Sequence, residues 1–129
     1  MHKKFLITAS FLGALSVILG AFAAHKLKEI FEPQLLQTFE TAVKYQMYHA
    51  LALLAVGILY KDFPLKQLRL AGGLFIAGII LFSGSLYLLC FIQYQNIPAK
   101  WVGAITPFGG LCFIAGWLLL AVGISKKAG

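Results

Sequence analysis

A chain of 129 residues is long enough for one small domain, and 60% of this one is hydrophobic while only 12% is charged. A water-soluble domain of that size cannot hide so much apolar surface, because ordinary chains are about half apolar and about a quarter charged; a bilayer, acting as solvent for the outward faces, removes the difficulty. The formal charge of +7 lies between and beside the apolar runs with no nucleic-acid-binding motif, so it reads as a device for membrane orientation and anionic-lipid contact.

The first apolar run, residues 5–24, follows His2, Lys3 and Lys4. With Ala21-Phe22-Ala23 it imitates a secretory signal and its cleavage site, but it is longer than the usual apolar region of roughly 7 to 15 residues. It reads as a retained span. The second run, 42–60, holds Lys44 near one end, where a long stem can carry the ammonium to the interface. Pro33 stands ahead of it. Proline suits the first turn of a helix, where its missing N–H would be unbonded anyway. The second helix is therefore expected to begin near Pro33, above the membrane, with Glu40 and Lys44 paired at i,i+4. The third run, 68–92, follows Pro64 and opens beside Arg69, and the fourth, 101–124, follows Pro98. Pro107 lies inside the fourth and should kink or loosen it.

Each run is 19 to 25 residues and none contains an acidic residue. That is the length a helix needs to cross about 30 Å of hydrocarbon. Barrel strands are about ten residues of alternating polarity, a pattern not seen here. The expected fold is all-α: a polytopic, four-transmembrane-helix bundle forming one domain over residues 1–129. Seven basic residues (Lys3, Lys4, Lys61, Lys66, Arg69, Lys126, Lys127) fall on one side and four (Lys26, Lys28, Lys44, Lys100) on the other, with Glu29, Glu32 and Glu40. The positive-inside bias then places both termini and the 61–69 loop in the cytoplasm.

Small residues recur at four-residue spacing: Ala9/Gly13, Ser16/Gly20/Ala24, Cys112/Gly116. Gly72, Gly73, Gly78 and Gly84 suggest the same for the third helix. Close backbone approach through such residues drives helix association in lipid, and the expectation is a compact bundle with the first helix at its centre. Tyr60, Phe63, Tyr94, Trp101 and Trp117 are expected near span ends, as interfacial aromatics.

Polar residues gather at one depth in this topology. His25 closes the first helix; Tyr45, Tyr48 and His49 open the second span; Ser83, Ser85 and Tyr87 lie in the outer half of the third; Thr106, Pro107, Gly109 and Gly110 lie in the outer half of the fourth. Tyr45, Tyr48, His49 and Ala52 share a helix face at i, i+3, i+4 and i+7. Ionisable groups within spans often mark function, and a loosened Pro107–Gly110 segment could expose carbonyls. The same groups could equally stitch helices together through hydrogen bonds.

Sharper chemistry finds no support. A bis-histidine haem needs His25 and His49 at one depth. Cys90 and Cys112 form no CxxC or metal spacing and lie at depths too different for a disulfide. A proton-coupled exporter wants an embedded carboxylate. No nucleotide loop, metal motif or activated nucleophile occurs, so no cofactor or metal is expected.

Four ordered segments carry a resemblance: Gly20-Ala21-Phe22-Ala23-Ala24-His25, Tyr45-Gln46-Met47-Tyr48-His49, Phe82-Ser83-Gly84-Ser85-Leu86-Tyr87, and Thr106-Pro107-Phe108-Gly109-Gly110 with Ala115-Gly116-Trp117. They resemble the YgdD/YwdK family, small bacterial inner-membrane proteins of unknown function with relatives among animal transmembrane proteins. The likeness covers nearly the whole chain and departs at Ala23, where the family has glycine. It implies four spans and a cytoplasmic (inner) membrane location, and it supplies no activity. Three functions remain open. The first is a non-enzymatic component associating with membrane lipids, itself or another membrane protein. The second is a small-solute, ion or proton binder or carrier around His49. The third is a lipid- or quinone-modifying enzyme with His49 as base.

Overall fold

The computed structural model describes residues 1–98 and 100–126; Ala99 and the stretch from Lys127, a residue in the charge count, lie outside them. The described residues form four long helices: α1 (Lys3–Ile30), α2 (Pro33–Leu59), α3 (Lys66–Tyr94) and α4 (Lys100–Lys126). No strand occurs among the described residues. Each helix is about 40 Å long at 1.5 Å per residue, and all four are apolar enough to cross a membrane. They outrun the apolar stretches because Leu, Lys, Glu and Gln at their ends are good helix formers once a turn exists.

The ends are set locally. The ring Nδ1 of His2 accepts the Phe5 N–H at 3.2 Å, and the His2 N–H donates to the Gly57 carbonyl at 2.9 Å. The start of α1 is thereby tied to the end of α2. Pro33 occupies the first turn of α2, as its sequence position suggests. At the end of α3, Asn96 adopts a left-handed φ of 60°. The Asn96 N–H donates to the Gln93 carbonyl at 3.1 Å and the Ile97 N–H to the Ile92 carbonyl at 3.0 Å, the paired bonds of a Schellman stop.

Consecutive helices run antiparallel. One end of the bundle carries the N-terminus, the end of α4 and the 60–65 connection; the other carries residues 31–32 and 95–98. They are called here the terminal end and the loop end.

α2, not α1, is the central helix. Within its most apolar stretch 44% of residues are buried, against 17% for α1. α1 presents Ala9, Ser16, Ala23 and Leu27 inward and leaves Phe11, Val17 and Ile18 exposed. Its small residues mark a close approach on one face, and that spacing carries no information about enclosure on the others.

Close helix contacts, above all along the α3–α4 seam, are built from glycines facing large side chains. A Cβ at Gly116 would lie 2.7 Å from the Phe75 ring, and one at Gly123 2.6 Å from Leu68. Gly78 meets the ring of Phe113, and Gly72 meets that of Phe5. Gly13 and Gly73 face open space instead, with no atom within 4 Å, and Gly84 has only a carbonyl at 3.9 Å. Those three contribute no seam.

Two apolar clusters result. Val56, Leu68, Ala71, Phe75, Phe113 and Leu120 fill the terminal half; Ala23, Leu27, Phe31, Phe39 and Cys90 fill the loop end.

Three further differences have physical causes. α4 passes through Pro107 as unbroken helix. The lost bond is that of the Gly103 carbonyl, and a Cβ at Gly103 would meet nothing within 4 Å, so the chain there is uncrowded. Glu40 and Lys44 form no ion pair. Both are exposed, and such pairs gain only a few tenths of a kcal/mol against side-chain entropy. Finally, π-helical turns interrupt α1 at Ala23–Leu27 and α3 at Ile79–Ser83. Each shifts the helical register by the extra residue it accommodates.

Candidate functional site

Between the two apolar clusters lies a band of hydrogen bonds joining all four helices. The π turn in α3 precedes Gly84 and leaves Ser83 facing α2, where its Oγ donates to the Ala42 carbonyl at 2.7 Å. Both residues are completely buried. Ser85, two residues on, faces α4, and its Oγ lies 2.6 Å from Thr106 Oγ1 while donating to the Phe82 carbonyl at 2.9 Å. Beside this pair α3 and α4 meet backbone to backbone: a Cβ on Gly109 would collide with the Phe82 backbone nitrogen.

Gln46 is the hub of the band. It is 1% exposed. Its Nε2 donates to the Leu12 carbonyl of α1 at 2.9 Å, and its Oε1 accepts the Tyr87 hydroxyl of α3 at 2.7 Å. One amide thus ties three helices. Ser16 Oγ donates to the same Leu12 carbonyl at 3.0 Å. Sequence reasoning missed Gln46 as a site residue, although a signal was there. Ala42, Gln46, His49, Leu53 and Val56 step by four and three residues, and all five are buried.

That stripe also corrects the expected face of α2. His49 and Ala52 point inward, but Tyr48 is 55% exposed and Tyr45 39%. Tyr45 sits at the edge, its ring 4.8 Å from that of Phe82.

His49 itself is enclosed. Its ring stacks on Phe113 at 3.5 Å with an interplanar angle of 10°, and Phe75 and Trp117 close other sides at 5.6 and 5.9 Å. The Trp117 indole N–H donates to His49 Nε2 at 3.1 Å. An indole nitrogen can only donate, so Nε2 is the bare nitrogen. Nδ1 then carries the proton and donates to the Tyr45 carbonyl at 2.8 Å. Both nitrogens of a neutral ring are engaged. Trp117 is therefore no span-end aromatic: it lies nine residues before Lys126, roughly 14 Å into its helix. His49 sits about as far from Leu59, deeper from the loop end than Thr106, so the polar groups do not share a single depth. Trp117→Phe removes this donor together with part of the ring that packs on Phe75, and is expected to lower unfolding stability by at least the hydrogen bond's contribution of about 0.6–1.7 kcal/mol, read from the denaturation midpoint in detergent.

Other expected members stand apart. His25 is exposed on the π turn of α1 and makes no hydrogen bond among the described residues. Pro107 is exposed, and Gly110 has no atom within 4 Å of a Cβ position. Both cysteines are free, with Cys90 Sγ 3.6 Å from the Leu35 carbonyl. Among the described residues no buried side-chain nitrogen or oxygen lacks a partner. Chemically, such an arrangement holds helices in register; the groups that would act on a ligand already act on one another.

Comparison with known proteins follows the same lines. A family model described as a protein of unknown function, DUF423, matches residues 19–110. A UPF0382 membrane protein of Staphylococcus haemolyticus is 40% identical over 127 residues, covering 98% of this chain and 99% of the relative. The UPF0382 membrane protein YwdK of Bacillus subtilis is 42% identical over 125 residues, covering 96% and 98%. A UPF0382 membrane protein of Schizosaccharomyces pombe is 39% identical over 116 residues, covering 88% and 95%. No solved structure matches. Four membrane-length helices and near-complete alignment with these membrane proteins lead to one conclusion: the chain belongs to the DUF423 family of UPF0382 membrane proteins.

Proposed function

We propose that this chain is a non-enzymatic, multi-pass component of the bacterial cytoplasmic membrane, a bundle whose polar interior locks its own helices and whose outer surface meets lipids, a second copy or another membrane protein. The observation that carries this reading is the closed polar band, in which the buried polar side chains described are all partnered. A carrier or enzyme centred on His49 would need room and a free nitrogen there. Phe113 occupies the ring face and both nitrogens are bonded.

The proposed orientation has both termini cytoplasmic. Lys3, Lys4, Lys61, Lys66, Arg69 and Lys126 at the terminal end support it, against Lys26, Lys28, Lys44 and Lys100 toward the loop end. A fluorescent reporter fused after the last residue should glow, since it folds in the cytoplasm, and an alkaline phosphatase reporter inserted at residues 95–98 should be active outside it. The opposite pattern would refute the orientation. His49→Phe, which preserves the stack on Phe113, should leave solute uptake and internal pH of cells unchanged; loss of either would restore the carrier reading.

A further inference from the structure

At the loop end the situation is the reverse of the interior. A cleft of about 570 Å³ opens between the last residues of α1, the first turns of α2 and the end of α3. Ile30, Leu35 and Leu89 supply its apolar lining, and Glu32, Gln34, Gln93, Tyr94 and Asn96 its polar one. None of these five polar side chains makes a hydrogen bond among the described residues, and Glu32 forms no ion pair there. Thr38, also on the wall, has its hydroxyl committed to the Gln34 carbonyl at 3.2 Å. The volume falls within the range of small-ligand sites, about 300–1,000 Å³.

The backbone explains why these groups converge. The Schellman stop at Asn96 ends α3 sharply, and Glu32 in extended conformation turns the chain into α2. Tyr94 packs on Phe31 with ring centroids 5.3 Å apart, closing the back.

Charge selects the ligand. Among the described residues Glu32 is the single charged one on the lining, with no lysine or arginine beside it there. The C-terminal ends of α1 and α3, both negative, meet there against one positive N-terminus. Amide oxygens and a phenol add neutral acceptors around the carboxylate. All the lining residues but Leu89 flank the apolar runs, lying before residue 42 or past residue 92, which puts the polar ones at headgroup level with an interfacial tyrosine.

We propose that this cleft binds a primary alkylammonium group, with Glu32 as the counter-ion and Gln93 and Asn96 as hydrogen-bond acceptors. The group reaches it either as the headgroup of an ethanolamine phospholipid in the adjoining leaflet or as a free small amine. The inference rests on the membrane-spanning fold and is independent of the role assigned to the polar band.

The test is native mass spectrometry on the full chain in detergent, comparing retention of phosphatidylethanolamine and phosphatidylcholine with identical acyl chains. The quaternary ammonium offers no N–H, so the ethanolamine lipid should be held about tenfold more tightly, the scale of a charge-assisted hydrogen bond. Glu32→Gln should abolish the preference and Gln93→Leu reduce it. Both residues are exposed, and an unchanged unfolding midpoint will show that the bundle is intact. Displacement of the lipid by millimolar free ethanolamine would assign the site to a free amine; retention against it would assign the site to the lipid. Equal retention of the two lipids, or a preference that survives both substitutions, would overturn the proposal.

Discussion

Gly109→Ala will destabilise the bundle by about 3 kcal/mol, the upper part of the range for overpacked positions, while Gly110→Ala will not. The added Cβ at Gly109 would strike the backbone nitrogen of Phe82 and lie 2.7 Å from its Cα. A backbone atom has no rotamer to escape into, so relief requires α3 and α4 to move apart. That movement pulls on Ser85 and Thr106, 2.6 Å apart nearby, and on the Gly78–Phe113 contact in the same seam. At Gly110 no atom lies within 4 Å of the corresponding Cβ. The helix simply gains alanine for glycine, a stabilisation of about 0.5–1 kcal/mol. Denaturation of the purified protein by SDS in mixed micelles compares the two directly. Equal midpoints would mean that the seam is not packed as described.

Gln46→Leu should cost about 2–4 kcal/mol by the same measurement. Leucine keeps the volume but removes the bonds to the Leu12 carbonyl and the Tyr87 hydroxyl, each worth about 0.6–2 kcal/mol in a membrane. It also strands the Tyr87 hydroxyl with no partner, a desolvation cost of about 1–3 kcal/mol that the neighbouring lipid cannot relieve. Tyr87→Phe alone should cost less, because Gln46 keeps its bond to α1. The double variant should be less destabilised than the two single effects added, with a coupling of about 1 kcal/mol, since removing both partners leaves nothing unpaired. Strict additivity would show that the two side chains are not bonded.

Hydropathy along the chain pointed to the four long apolar helices, and Pro33 to the start of α2, because apolar length and helix nucleation are properties of local sequence. The failures concern faces. The small residues at Ala9, Ser16 and Gly20 signal a close approach on one face whatever covers the others, so α1 looked central when it is peripheral. Tyr45 and Tyr48 drew attention as polar aromatics, yet an amphipathic tyrosine can face lipid, and the true inward register ran through Ala42, Gln46 and His49. Ser83, Ser85, Thr106 and Gly109 were legible as a group since small polar residues seldom interrupt a span without an interhelical role. Their partners were not. The turn at Ile79–Ser83 that aims Ser83 at one helix and Ser85 at another leaves no mark in residue type, and Trp117 could be placed beside His49 only once α2 and α4 were packed.

The claim on which the rest depends is that the interior around His49 is dry and already satisfied. With nitrogen-15-labelled tryptophan the chain yields two indole N–H signals, from Trp101 near the start of α4 and from Trp117. On transfer into deuterated buffer in lipid nanodiscs, Trp101 should exchange promptly and Trp117, bonded to His49, should persist long afterwards. Loss of the Trp117 signal as fast as that of Trp101 would mean that water reaches His49, and the bundle would have to be read as holding a site or a path.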